Sequence, residues 1–208
     1  VPARLFDREQ ALQEKPLEIL ETESDKKLKL FTNLGFMYTL NAEDVQEVKN
    51  GGRPQNLAAL LTLEESECLV AAFIESDEGD YFFYTNSRVK RMQAINLKDG
   101  DEVLSVERQN GDMLLMVTKK GMSIRFALEE VSSTGRVSAG VMGIKLKNGD
   151  FVMFAKQVLD EGELLLISDR GYAKRSLIFD HELQKRYGKG LKSFDFKKNG
   201  SNIRLRFA

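Results

Sequence analysis

The sequence predicts an all-β protein built as a propeller-like array of about four blades. Three observations carry this: an apolar run ending in Thr or Ser that recurs four times, a glycine landmark trailing it at fixed distance, and repeated acidic-Gly turns. The recurring segments are Leu28–Tyr38, Tyr81–Arg91, Leu114–Phe126 and Leu164–Arg175. Each reads as a β-hairpin whose first strand is apolar on both faces. Gly35, Gly121 and Gly171 supply the positive φ that a tight turn needs, and the second copy lacks this glycine and is one residue shorter.

The Thr/Ser markers fall at Thr32, Thr85, Thr118 and Ser168, at intervals of 53, 33 and 50 residues. Spacing of about 40–50 residues is that of propeller blades, each a small sheet. The landmarks Gly140-Val141-Met142-Gly143-Ile144 and Gly190-Leu191-Lys192-Ser193-Phe194 each begin 22 residues after a marker. Turns then recur at Asp99-Gly100-Asp101, Asn148-Gly149-Asp150 and Asn199-Gly200. The short 33-residue interval implies that the second copy has lost its outer loop, passing from Met92 straight into Ile95-Asn96-Leu97. Residues 7–15 form the best helix candidate, stopped by Pro16, and Asn41–Val45 and Leu128–Val131 can each make a helical turn. Residues 1–26 read as a connecting segment and first outer strand, and residues 27–208 as a single domain without an interior linker.

The chemistry that is missing narrows the function. The start, Val1-Pro2-Ala3-Arg4, has no signal-peptide pattern and reads like a cut inside a longer polypeptide. No apolar run approaches the roughly 20 residues that span a bilayer. The one cysteine, Cys68, excludes an internal disulfide and fits a reducing cytoplasm, and its apolar flank predicts a buried structural thiol. The one histidine, His181, lies between Asp180 and Glu182 and reads as a solvated residue rather than a base or metal ligand. No phosphate-cradling glycine loop is present, so the expectation is no intrinsic catalysis, no cofactor and no metal.

Thirty-one basic and 32 acidic residues leave a net charge of −1, so the placement of charge matters more than its sum. Bases cluster on the second strands of the hairpins: Arg88, Lys90 and Arg91, then Lys119, Lys120 and Arg125, then Arg170, Lys174 and Arg175. The loops add Arg53, Arg136, Lys145, Lys147, Lys185, Arg186, Lys189 and Lys192. At one radius of a disc these would form a discontinuous belt able to neutralise phosphates along a curve. By charge alone, ordinary solvated strands with bases paired to neighbouring acids are the simpler reading.

The order of motifs adds to this. Thr118-Lys119-Lys120-Gly121-Met122-Ser123-Ile124-Arg125-Phe126, followed by Val131, Gly135-Arg136 and Gly140–Ile144, resembles a blade of the C-terminal domain of a type IIA topoisomerase A subunit, as in DNA gyrase and topoisomerase IV. Gly171–Ser176 resembles the next blade and Gly52–Leu57 an earlier one, so the likeness runs from about Leu28 to the C-terminus. The resemblance implies a β-pinwheel, a disc whose blades exchange strands, with double-stranded DNA held along its basic rim. As contacts it implies Arg53, Arg88, Lys90, Arg91, Lys119, Lys120, Arg125, Arg136, Arg170, Lys174, Arg175, Lys185, Arg186 and Lys189. It also implies a cytoplasmic, nucleoid-associated bacterial enzyme, with partners in the ATPase B subunit, on one side, and the remainder of the A subunit. Two departures stand out. The glycine- and base-rich box of gyrases, Gln-Arg-Arg-Gly-Gly-Lys-Gly, is matched only by Gln184-Lys185-Arg186-Tyr187-Gly188-Lys189-Gly190, with Tyr187 in place of a glycine. Together with the shortened second copy, this leans toward a topoisomerase IV-like or divergent gyrase subunit. A propeller-type protein-interaction scaffold that does not touch DNA is the competing expectation.

Overall fold

A computed structural model of the chain describes residues 20–49, 52–76, 81–86, 88–91, 97–134 and 138–207. The four expected hairpins are all present. They are β1 (Lys27–Thr32) with β2 (Met37–Asn41), β4 (Tyr81–Thr85) with β5 (Arg88–Arg91), β7 (Met113–Thr118) with β8 (Met122–Ala127), and β11 (Glu163–Ser168) with β12 (Ala173–Leu177). A third strand pairs antiparallel with the first of each hairpin: β3 (Leu69–Ile74), β6 (Val103–Arg108), β10 (Val152–Val158) and β14 (Ile203–Phe207).

The marker hydroxyl explains why the pattern repeats. Thr32, Thr85, Thr118 and Ser168 are all buried. Each Oγ accepts a hydrogen bond from the amide at, or one residue before, the start of the returning strand: Phe36 N at 3.3 Å, Arg88 N at 3.0 Å, Met122 N at 3.2 Å and Tyr172 N at 3.2 Å. The acceptor lies four residues before the donor in three copies and three before it in the second, the copy with the shorter turn. Gly35, Gly121 and Gly171 adopt φ of 83°, 77° and 80°, as the turn requires. In every blade the ladder to the third strand slips by one residue beside the marker. The bulge frees the carbonyl of the next residue to reach the following blade. Asn33 O accepts from Val103 N at 2.8 Å, Asn86 O from Val152 N at 3.0 Å, and Lys119 O from Ile203 N at 2.9 Å.

Two-sided burial of the middle strands follows from period-2 geometry. On β4, Phe82 and Tyr84 pack with Leu114, Met116 and Phe126 of the third blade, while Tyr81 and Phe83 pack with Phe31 and Ala71 of the first. On β7, Leu115 and Val117 turn toward Leu164, Leu166 and Ile203 of the fourth. Phe31 meets Tyr81 and Phe83 with ring centroids 5.0 and 5.3 Å apart. Burying a large apolar side chain stabilises by roughly 1.5–3 kcal/mol, so each interface between blades is a core in its own right.

The glycine landmarks are exchanged strands. β9 (Val141–Met142) comes from the segment after β8 yet pairs with β5 of the preceding blade, and β13 (Leu191–Lys192), after β12, pairs with β8. The second and third sheets thus run β6-β4-β5-β9 and β10-β7-β8-β13, and the outer two have three strands each among the described residues. β6 touches both β3 and β10, so these edges line the centre and the exchanged strands lie at the rim. In the shortened second copy, Val103 follows Thr85 by 18 residues, whereas Val152 follows Thr118 by 34, and no strand between β5 and β6 reaches β2 among the described residues.

Helical turns occur at Ala42–Asp44 and Leu128–Glu130, as the sequence reading expects. A short helix at Leu57–Leu61, capped by Asn56 Oδ1 on Ala58 N, was not foreseen. The helix expected at residues 7–15 lies outside the described residues. Cys68 corrects the expectation of a buried thiol: it is exposed, because its backbone, bonded in both directions to Asn33, holds the side chain outward just before β3 begins.

Removing only the marker hydroxyl isolates its contribution. Thr118→Val leaves the Met122 amide without its acceptor and should lower stability by about 1–3 kcal/mol in chemical denaturation. Thr118→Ser, which copies Ser168, should stay within about 1 kcal/mol of the unaltered chain.

Candidate nucleic-acid interface

Two exchange segments lie side by side on the rim. Residues 184–190 run along residues 140–145, joined by Tyr187 N to Gly143 O at 2.7 Å and Lys145 N to Gly188 O at 2.8 Å. Glycines allow the close approach. A Cβ on Gly143 would sit 2.3 Å from Met116 Sδ, and one on Gly190, at φ 72°, 2.6 Å from the Ser123 carbonyl oxygen. Arg186 clamps the pair: its amide donates to Glu130 Oε2 at 3.1 Å, Nε to Glu130 O at 3.2 Å and Nη1 to Met142 O at 2.8 Å.

This juxtaposition gathers Lys145, Lys147, Lys185 and Lys189, all exposed and none ion-paired among the described residues. A cavity of about 250 Å³ opens beside them, with Met122, Ile144 and Leu146 on its wall and Lys145, Lys147 and Lys189 at its edge. Such an arrangement suits a polyanion held by its phosphates, with its less polar parts against the apolar wall.

The remaining bases named by the sequence separate into groups. Arg53, Lys120, Arg170, Lys174 and Arg175 are exposed. Their partners are modest: Lys120 Nζ reaches Asn202 Oδ1 at 3.2 Å, Arg170 Nη1 reaches Lys198 O at 3.4 Å, Lys174 Nζ reaches Ser193 O at 2.8 Å, and Arg175 pairs with Glu163 at 3.4 Å in open solvent. Lys119 is half-buried with its ammonium 4.8 Å from the Phe151 ring centroid.

Three arginines do internal work instead. Arg125 corrects the expectation of a rim contact: it is buried and ion-paired to Asp160 at 2.6 Å, so its charge is committed inside the blade. Arg88 ties its guanidinium to Gly140 O at 3.1 Å, and Arg186 is committed to Glu130 and Met142. Lys90 and Arg91 lie on β5 with side chains outside the described residues, and Arg136 lies outside them altogether.

His181 is also corrected, being buried rather than solvated. Ser123 Oγ lies 3.1 Å from Nδ1 and Ser176 Oγ 3.0 Å from Nε2, and Ser193 Oγ bonds Ser123 Oγ. The ring thus joins β8, β12 and the exchanged strand. Burial, with the charges of Lys174 and Arg125, pushes its pKa below the ordinary range against an opposing pull from Asp180. No carboxylate completes a nucleophile–base relay at the ring, and no group of three or more potential metal ligands occurs among the described residues. No described helix is long and apolar enough to cross a membrane.

Comparison with known proteins bears on this geometry. Residues 28–74, 90–110, 112–158 and 162–206 match the family described as "DNA gyrase C-terminal domain, beta-propeller". The chain is 30% identical over 198 residues to the DNA gyrase A subunit of Lawsonia intracellularis, an alignment covering 85% of this chain and 24% of that protein. It therefore spans about a quarter of the length of such relatives. A crystal structure of the C-terminal domain of DNA topoisomerase IV superposes with a TM-score of 0.84 at 25% identity, covering 92% of this chain and 66% of that one. The DNA gyrase A C-terminal domain superposes with a TM-score of 0.69 at 25% identity, over 90% of this chain and 67% of that one.

A depressed native pKa gives His181 a defined pH signature. Between the native value and about 6.5 the unfolded chain binds more protons, so stability should fall as pH drops from 7.5 to 5.5, by at most about 1.4 kcal/mol per pH unit. Denaturant midpoints across that window should show this slope, and His181→Gln should remove it.

Proposed function

The chain belongs to the DNA gyrase C-terminal domain family, and from that membership we propose that it binds double-stranded DNA along its rim and bends it, without reading base sequence. The reading extends to a parent type IIA topoisomerase. In it the disc positions a DNA segment for ATP-dependent supercoiling or decatenation, while the cleavage and ATPase chemistry reside in the remainder of the A subunit, together with a B subunit.

The observation that carries the proposal is the exposed set Lys145, Lys147, Lys185 and Lys189, with Lys174 and Arg170 further along the same blades. These are mobile ammonium and guanidinium groups on rigid backbone, and they hold phosphates without ordering base contacts. Bending follows when the contacted phosphates lie on a curved surface, since neutralising one side of the duplex and offering further contacts along the arc offset the elastic cost. Fewer bases are available than the sequence alone promises, because Arg125 is buried and the half-buried Arg88 and Arg186 spend guanidinium donors on backbone carbonyls. This supports a bender over an extended wrapper.

A second reading, a scaffold for protein partners, draws on the exposed Phe179, Leu183 and Tyr187 at 69%, 55% and 47%. It differs in what charge does: reversal at Lys174 and Arg175 would leave DNA affinity unchanged.

Titration of a fluorescent duplex against salt separates the two. DNA binding should weaken steeply, and replacing Lys145, Lys147, Lys185 and Lys189 by Gln should shrink the log–log slope by up to about 0.9 for each phosphate no longer neutralised. Binding that is flat across salt, or absent at low salt, would overturn the proposal.

A further inference from the structure

The segment leading into β13 carries a pattern that phosphate binding alone does not require. From Leu183 to Leu191 exposure alternates strictly: Leu183, Lys185, Tyr187, Lys189 and Leu191 face outward, while Gln184, Arg186, Gly188 and Gly190 are half-buried. The inward residues are anchored, Gln184 through its amide to Arg125 O at 2.8 Å, Arg186 to Glu130 and Met142, and Gly188 through its carbonyl to Lys145 N. The backbone between them is held in place and turns at Arg186–Tyr187, where Gly188 N donates to Lys185 O at 3.2 Å.

Tyr187 sits at this turn. It has φ 65°, a region that costs a residue with a Cβ about 1–2 kcal/mol, yet 47% of it is exposed to solvent. Lys185 and Lys189, two residues to either side, are exposed as well, and the apolar-walled cavity opens at the Lys189 end. Of the nearby acids, Asp180 and Glu182 lie toward the Leu183 end, Asp150 lines the cavity but takes the Lys120 and Phe151 amides, and Glu130 is turned inward onto Arg186. An exposed aromatic ring with exposed lysines two residues to either side is the chemistry that takes unpaired nucleotides, with a base stacked on the ring and phosphates on the ammonium groups.

We propose that residues 183–191 form a site for unpaired DNA, with Tyr187 as the stacking platform and Lys185 and Lys189 as phosphate contacts. The proposal rests on the DNA-binding reading above and adds a preference for strands that are melted or distorted, such as those produced when a duplex is sharply bent.

The test compares the intact chain on a fully paired duplex and on the same duplex with a short central bubble, at one salt concentration. The bubble should bind at least about fivefold tighter, the equivalent of one base–aromatic stack. Tyr187→Gly, whose backbone suits φ 65°, should fold, keep paired-duplex affinity within about twofold and lose the bubble preference. Tyr187→Phe should retain that preference, and Lys185→Gln with Lys189→Gln should weaken both DNAs. Equal affinity for the two duplexes, or a preference that persists in Tyr187→Gly, overturns this inference and leaves the duplex reading intact. Failure of either DNA to bind overturns both.

Discussion

A buried hydroxyl at the end of each hairpin's first strand is the constraint from which the architecture follows. The oxygen takes the amide at the start of the return strand, and in three copies the same residue's carbonyl takes the turn glycine's amide, so one residue closes the turn twice. The third strand then slips by one residue, and the carbonyl just after the hydroxyl points out of its own sheet toward the next blade. One side chain thus sets both the hairpin's geometry and the link to its neighbour. Val would fit the volume, but it would leave a shielded amide without a partner, which is costlier than the loss of one hydrogen bond from water. The same oxygen also donates, to Asp101 in the second blade and to the Asn199 carbonyl in the fourth, which recruits the acidic-Gly turns to the same point.

With blades linked at their tips and packed through both faces of each middle strand, the outer edges remain to be closed. Exchange does this by donating two residues backward, which leaves each donor segment stretched across its neighbour's rim. The basic surface is a by-product of that path. Lys145 and Lys189 are 44 residues apart in sequence and meet because two donor segments run together, held by Arg186 and by glycines that let backbones touch. Interblade contacts elsewhere use polar side chains in the same way. Gln157 of the third blade donates its amide to Glu107 Oε2 and its side chain to Arg108 O, and Arg108 in turn bonds the Ile74 carbonyl of the first. Burial raises the pKa of Glu107 and of Tyr84, whose hydroxyl donates to it at 3.1 Å.

Much of the fold was legible because it repeats. A marker, a turn glycine and a landmark at constant separation reflect local hydrogen bonding and steric limits, which are properties of short segments. What was not legible depends on the third dimension. Nothing near Arg125 in sequence announces Asp160, 35 residues away, and nothing near His181 announces Ser123, so one base looked available and one ring looked solvated. Cys68 misled for the opposite reason: its apolar flank is β3, which begins one residue later, so the thiol lies outside the burial its neighbours enjoy. Residues 184–190 read in the sequence only as a box-like loop with Tyr187 in place of a glycine, since nothing local gives the turn at Arg186–Tyr187 or the exposure of that side chain.

The near-zero net charge is compatible with a basic rim because acids and bases do different jobs in this chain. Many carboxylates are occupied with amides. Asp150 caps Lys120 and Phe151, Asp169 takes Ser201 N and is held below the usual carboxylate range by it, and Glu130 and Glu107 take amides from neighbouring segments. A carboxylate accepting backbone N–H groups is fixed at the position of those amides, in turns and between blades. Lysines such as Lys145, Lys147, Lys185 and Lys189 make no ion pair among the described residues, and their long stems carry the ammonium outward. Acids are thereby drawn toward the turns and interfaces while cations project from the exchange segments. The field at the rim depends on this sorting, to which the sum of 31 and 32 is blind.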